Sequence, residues 1–169
     1  MAQVLILGSG GREHALGESM GKSNRVTRVS YAPGNAGTGI NNFDLKPTPE
    51  NFEAIHAFIK YHKIDATIVG PEAPLANGIV DFLNAKGYHK VFGPTQEASK
   101  LESDKFFSYD LMEKLDIPQA NSIQCNNYNE AAAAIDKIAA GAVVLKHRDL
   151  KEGKGVRVYD SKNMLLKIL

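Results

Sequence analysis

The sequence predicts an α/β protein: a doubly wound parallel sheet first, then the start of a smaller α+β segment. Short β-type runs alternate with helix-type patterns between residues 4 and 93, the signature of successive βαβ units and a mainly parallel sheet. Small-residue loops follow the first three apolar runs, at Gly8-Ser9-Gly10-Gly11, Ala32-Pro33-Gly34-Asn35 and Gly70-Pro71. Past Phe92-Gly93-Pro94 the order of elements changes.

In chain order, strands are expected at Val4–Leu7, Thr27–Tyr31, Ala66–Val69 and Lys90–Phe92. Helices are expected at Arg12–Met20, Pro49–Tyr61 and Leu75–Lys86. The second helix carries Phe52, Ile55, Phe58 and Ile59 at helical spacing, which makes an apolar stripe. Thr48-Pro49 offers it a cap and a first-turn proline, and Gly87 suits the close of the third. Thr95–Leu101 and Ser103–Leu115 read as two further helices with a break near Glu102-Ser103. Ile117-Pro118 marks a boundary, because a residue before proline avoids helical dihedrals. Asn121–Cys125 is expected as a strand, Tyr128–Ala139 as a helix, and Ala142–Lys146 and Val156–Tyr159 as strands around a glycine loop. Lys162–Leu169 reads as the beginning of another helix. The domain boundary is placed near 93–103, giving one domain over 1–100 and a partial one over 101–169. Only about 50 residues follow Leu115, the lower edge of what folds alone, so the second domain is expected to be truncated or completed by another chain.

Composition narrows the function classes. The net charge of +1, from 20 basic and 19 acidic residues, calls for neither nucleic acid nor an anionic membrane as partner. No apolar run approaches the ~18–20 residues of a membrane span. The N-terminus lacks the basic stretch of a signal peptide and reads as a first strand. A lone cysteine, Cys125, fits a reducing compartment. One Cys and five His show no zinc-ligand spacing. A cytoplasmic protein is expected.

Gly8 and Gly10 fit a dinucleotide fingerprint, but Glu13 stands where its third glycine belongs. The second strand ends Val29-Ser30-Tyr31-Ala32, without the carboxylate that would hold a ribose hydroxyl. A nicotinamide dinucleotide is therefore excluded. Bare amides before a helix still suit an anion, and Arg12 adds a forked donor. Glycines this dense serve a phosphate cradle or a plain turn. Gly34-Asn35-Ala36-Gly37-Thr38 and Gly70-Pro71-Glu72 sit at the same strand ends, where open α/β sheets take ligands. Singly each is a weak signal; jointly they favour a site for a polar phosphorylated metabolite. Farther on, Lys146 ends a strand and Glu152-Gly153-Lys154-Gly155-Val156 forms a flexible loop without Walker spacing. It reads as a triphosphate lid or, more simply, as a hairpin turn with an exposed lysine. Lys105 by itself reads as a surface residue.

The segments VLILGSGGREHAL, APGNAGT, VGPEAPLANGIVD, VFGPT, LESDKFF and GKGV occur in this order. Together they resemble the glycinamide ribonucleotide synthetases, or phosphoribosylamine–glycine ligases, of the ATP-grasp superfamily, from Val4 to about Val158. The resemblance implies a pre-ATP-grasp domain over 1–100 and the start of an ATP-grasp domain after it. It implies ligation of glycine to 5-phosphoribosylamine in purine biosynthesis, with ATP and Mg²⁺ consumed through an acyl phosphate. By the same resemblance Gly8, Gly10, Gly11, Arg12 and Glu13, with Gly34, Asn35, Gly37 and Thr38, would hold the ribose 5-phosphate part. Pro71 and Glu72 would help position the ribosylamine. Lys105 and Lys146 would contact ATP phosphates, and Gly153, Lys154 and Gly155 would form the lid. No protein nucleophile is called for, and the Mg²⁺ ligands would lie beyond Leu169.

Two places depart from the family pattern. Where the family reads K-A-D-G-L-A-A-G-K-G-V, this chain has Lys146-His147-Arg148-Asp149-Leu150-Lys151-Glu152-Gly153-Lys154-Gly155-Val156. Bulky charged residues have replaced small flexible ones. Asp104 stands where a small hydroxyl residue usually precedes Lys105, and is expected to pair with that lysine. The first reading is a truncated or split form of the ligase. The alternative is a catalytically incomplete phosphoribosyl-binding module that needs a completing polypeptide. A different carboxylate–amine ligase of the superfamily would not carry the Gly34–Thr38 loop.

Overall fold

A computed structural model describes residues 1–135, 137, 141–150 and 154–160. The chain divides into two units, Met1–Lys100 and Leu101–Leu169.

In the first unit four parallel strands, β1 (Ala2–Gly8), β2 (Val26–Pro33), β3 (Ala66–Val69) and β4 (Val91–Phe92), lie in the order β2-β1-β3-β4. β1 is central, so both its faces are covered and it reads as an unbroken apolar run. Its side chains alternate between two cores. Leu5 and Leu7 join Phe52, Ile55 and Ile59 of α2 (Phe52–Tyr61) and Ile79, Val80 and Leu83 of a later helix, Ile79–Ala85. Val4 and Ile6 pack with Tyr31 and Ile68 on the other face, beside Met20 of α1 (Gly11–Gly21). Helices on both faces make the unit doubly wound, as the sequence predicts. The strand order reverses between β1 and β3, which puts the topological switch there.

The expected helix Leu75–Lys86 is instead two, α3 (Glu72–Ala76) and α4 (Ile79–Ala85). Gly78 separates them at φ 83°, a left-handed conformation that interrupts the helical path. Gly87 closes α4 as expected: its N–H reaches the Asn84 carbonyl and that of Tyr88 reaches Leu83. The proline at Pro49 opens a 3₁₀ turn ahead of α2, but the Thr48 side chain makes no capping bond. α5 (Gln96–Ser103) begins with its Gln96 N–H on the Asp81 carboxylate at 2.6 Å.

In the second unit α6 (Lys105–Lys114) starts at Asp104, whose carboxylate accepts from the N–H groups of Phe106 and Phe107. The helix break thus falls one residue past Ser103. Asp116 takes φ 55° and stops α6 two residues before Pro118. Residues 121–125 form no strand. Gln124 spends its amide on the Phe106 carbonyl and Asp110, local partners that replace a sheet ladder. α7 (Tyr128–Ile135) precedes an antiparallel pair, β5 (Val143–Lys146) and β6 (Val156–Tyr159), and Ile135, Val143 and Tyr159 form a small core. Most of the expected helix beyond Ile135, and all of Lys162–Leu169, lie outside the described residues. No described helix is long and apolar enough to cross a membrane.

Candidate functional site

Three loops meet at the carboxyl ends of β1, β2 and β3. Gly8 bends away from β1 at φ 128°, which only glycine adopts readily. Ser9, Gly10, Gly11 and Arg12 are exposed, and the first-turn amides of α1 have no partner within the helix. Glu13 is the exception. Its side chain is 4% exposed and turns back under the loop, where one carboxylate oxygen accepts from the Gly10 N–H at 2.6 Å. This is half of a capping box. A Cβ on Gly8 or Gly70 would meet the Glu13 side chain at 2.7 or 2.2 Å, so these glycines make its room.

The second loop is locked by its own polar groups. Thr38 Oγ1 accepts from the Asn35 N–H at 2.8 Å, and Asn35 Oδ1 accepts from the Gly37 N–H at 2.8 Å. Gly34 has φ 73° and donates its N–H to the Gly8 carbonyl at 3.0 Å. The Asn35 side-chain amide then donates to the Ser9 carbonyl at 3.0 Å, which ties the second loop to the first. The third loop joins through Arg12, whose Nη2 donates to Glu72 Oε1 at 2.8 Å while Nε lies 3.6 Å from Glu13 Oε1. That hydrogen bond is the main reason the Glu72 carboxyl sits below its ordinary pKa. Pro71 packs on Gly8, its Cδ 2.9 Å from where a Cβ would stand.

The first-unit residues that the sequence singled out therefore come together, though Glu13 is buried beneath the loop. Sequence reasoning missed Asn42, whose amide donates to the Asn35 carbonyl at 2.7 Å and whose Oδ1 accepts from Thr38. No local pattern marks it. It also passed over Gly70, although this residue heads a loop it had quoted.

In the second unit an open cleft of about 560 Å³ is lined by Phe106, Lys146, Arg148, Lys154, Gly155 and Arg157, among others. Lys146 and Lys154 are thus brought together, while Lys105 is not among the lining residues. Its Nζ donates to the carbonyls of Arg148 and Asp149 at 3.4 and 3.2 Å. The expected Asp104–Lys105 pair is replaced by Asp104–Arg148, because a guanidinium fork fits both carboxylate oxygens. Gly153 lies outside the described residues. Among the described residues no group of three or more His, Cys, Asp or Glu side chains is placed to hold a metal ion.

The first unit is an open, doubly wound α/β domain with its loops gathered at the switch point, the class that takes ligands outside the strand ends. The chain belongs to the phosphoribosylglycinamide synthetase family: residues 2–102 match its N domain and residues 103–169 its ATP-grasp (A) domain. It is 42% identical over 156 residues to a phosphoribosylamine–glycine ligase of Ralstonia nicotianae, covering 92% of this chain and 36% of that protein. It is 43% identical over 165 residues to the human trifunctional purine biosynthetic protein adenosine-3, covering 95% of this chain and 16% of that one. The crystal structure of the Thermotoga maritima phosphoribosylamine–glycine ligase superposes with a TM-score of 0.74 at 30% identity, over 98% of this chain and 38% of the other. The chain thus spans 36–38% of these two ligases.

Proposed function

We propose that this chain binds the ribose 5-phosphate part of 5-phosphoribosylamine and acts in its ATP-dependent ligation to glycine. The observation that carries this is the bond from Asn35 to the Ser9 carbonyl, which joins the Gly34–Thr38 loop to the glycine turn. Around that joint the exposed first turn of α1 at Gly11 and the forked donor of Arg12 suit a phosphate. Gly34, Asn35, Gly37 and Thr38 shape the second wall, and Pro71 and Glu72 the third. Glu13 serves from beneath by holding the Gly10 amide. We read 1–100 as the phosphoribosylamine-binding domain and 101–169 as part of an ATP-grasp domain. There Lys105, Lys146 and Lys154, with Gly153 and Gly155, would meet ATP phosphates.

In this reading ATP phosphorylates the glycine carboxylate. The ribosylamine nitrogen then attacks the acyl carbon, and inorganic phosphate leaves. The protein's part is charge neutralisation and close positioning. Mg²⁺ goes with the reaction, and the described residues offer it no cluster of three or more His, Cys, Asp or Glu side chains. Cys125, the single cysteine, fits a cytoplasmic setting.

Titration of the ¹⁵N-labelled chain with ribose 5-phosphate tests the binding reading. The amides of residues 8–13 and 35–38 are expected to shift together; unmoved signals there would remove the assignment. A binding module without turnover is the second reading, favoured by the placement of Lys105 outside the cleft. An assay of glycine-dependent ADP release with phosphoribosylamine separates the two.

A further inference from the structure

Asp104 and Arg148, 44 residues apart in sequence, meet. Arg148 Nε donates to Asp104 Oδ1 at 3.0 Å and Nη2 donates to Oδ2 at 2.6 Å. The guanidinium carbon also lies 4.8 Å from the centre of the Phe106 ring. Backbone follows side chain: Asp104 and Asp149 form an isolated antiparallel bridge, and the Lys105 N–H donates to the Arg148 carbonyl at 3.2 Å. The Lys105 ammonium is drawn onto the Arg148 and Asp149 carbonyls. Arg148 lines the cationic cleft, yet its charge is already met by Asp104. One cation of the cleft, Arg148, is thus neutralised, and the Lys105 ammonium is held on backbone carbonyls instead of lining the cleft.

We propose that the Asp104–Arg148 pair is an autoinhibitory latch: it pins residues 147–150 to the start of α6 and withholds Lys105 from the cleft, so that a nucleoside triphosphate binds weakly until the pair opens. This rests on the reading of the cleft as a triphosphate site. Arg148 hydrogen bonding is the first cause of the depression of the Asp104 carboxyl to about 2, so the latch is ionised at neutral pH. Entry of a triphosphate offers Arg148 and Lys105 competing acceptors.

Two variants of the full chain test the latch. Asp104→Ser removes the carboxylate but keeps an oxygen to cap α6. Arg148→Ala removes the guanidinium. Calorimetry with Mg·ATP is expected to show both binding about fivefold more tightly than the parent, the scale of a half-exposed ion pair. Adding Lys105→Ala to Arg148→Ala is expected to abolish the gain. Hydrogen exchange at the Lys105 amide is expected to quicken in both single variants. Weaker ATP binding by Arg148→Ala would make Arg148 a phosphate ligand and overturn the latch. So would a gain that survives Lys105→Ala, or unchanged exchange at Lys105. Faster exchange with no ATP binding by any variant would instead remove the triphosphate reading, and the regulatory role with it.

Discussion

The Gly10 N–H donates to the Glu13 carboxylate at 2.6 Å, and the other oxygen of that carboxylate is buried with no hydrogen-bond partner among the described residues. An acidic side chain thus occupies the floor of a loop whose upper surface carries exposed amides. Glu13 Oε1 still lies within 3.6 Å of Arg12 Nε, so the carboxylate bears on the one cation of the loop.

The floor leaves no room for more atoms. A Cβ on Gly70 would stand 2.2 Å from Glu13 Oε1 and 2.4 Å from its Cγ. Gly70→Ala is expected to lose about 1–3 kcal/mol of stability by overpacking, and to weaken ribose 5-phosphate binding. At Gly11 a Cβ meets nothing within 4 Å, so Gly11→Ala is expected to stay within about 0.5 kcal/mol of the parent. Urea denaturation of the two variants checks the contrast; equal stabilities would refute the packed floor.

α1 approaches the sheet through Gly17, where a Cβ would fall 1.8 Å from Tyr31 Oη. Alanine is the better helix former by about 0.8–1.0 kcal/mol, yet Gly17→Ala is expected to destabilise by about 1–3 kcal/mol because the clash outweighs propensity. Tyr31→Phe removes the oxygen in the way, so the double variant is expected to recover part of the loss. A thermal unfolding cycle of the four proteins measures the coupling.

Arg12 is oriented by Glu72 across 60 residues of sequence. Lysine keeps the charge but not the fork. Arg12→Lys is therefore expected to bind ribose 5-phosphate about tenfold less tightly, a difference of ~1.4 kcal/mol, with stability unchanged. Calorimetric affinities equal to the parent would show that the guanidinium does not meet the phosphate.

The Asp104 carboxyl is lowered from 3.8 to about 2, chiefly by its hydrogen bonds from Arg148. A depressed carboxyl contributes stability that is complete above the unfolded pKa and is lost as pH falls through the folded one. The Asp104–Arg148 contact is thus expected to hold at pH 4 and open near pH 2. Following the Asp104 side-chain carbon by NMR gives its midpoint directly; a midpoint at or above 3.8 would contradict the pairing.

Local patterns were sufficient for most of the fold. The apolar runs placed β1 to β4, and the stripe of Phe52, Ile55, Phe58 and Ile59 placed α2, because burial on one face imposes a period. The helix over Leu75–Lys86 failed at Gly78, since a left-handed residue inside an amphipathic stretch leaves the period intact while breaking the path. The strand over Asn121–Cys125 failed because β structure needs a partner, and Gln124 found local ones. In the site, glycines and asparagine were legible as loop chemistry. Asn42 was not, because its bonds to Asn35 and Thr38 follow from how the loop curls.

The amino-acid order alone determined the alternation of elements, the parallel α/β class, the glycine turn and the family, since each is written in short windows of periodicity and turn residues. Tertiary structure alone decided that Glu13 turns inward, that Arg12 meets Glu72 and that Asp104 takes Arg148, 44 residues away, rather than neighbouring Lys105. The reason is physical. A charged side chain pairs with whatever group the folded backbone brings within a few ångströms in the right geometry, and that proximity is a property of packed strands and loops rather than of any stretch of sequence.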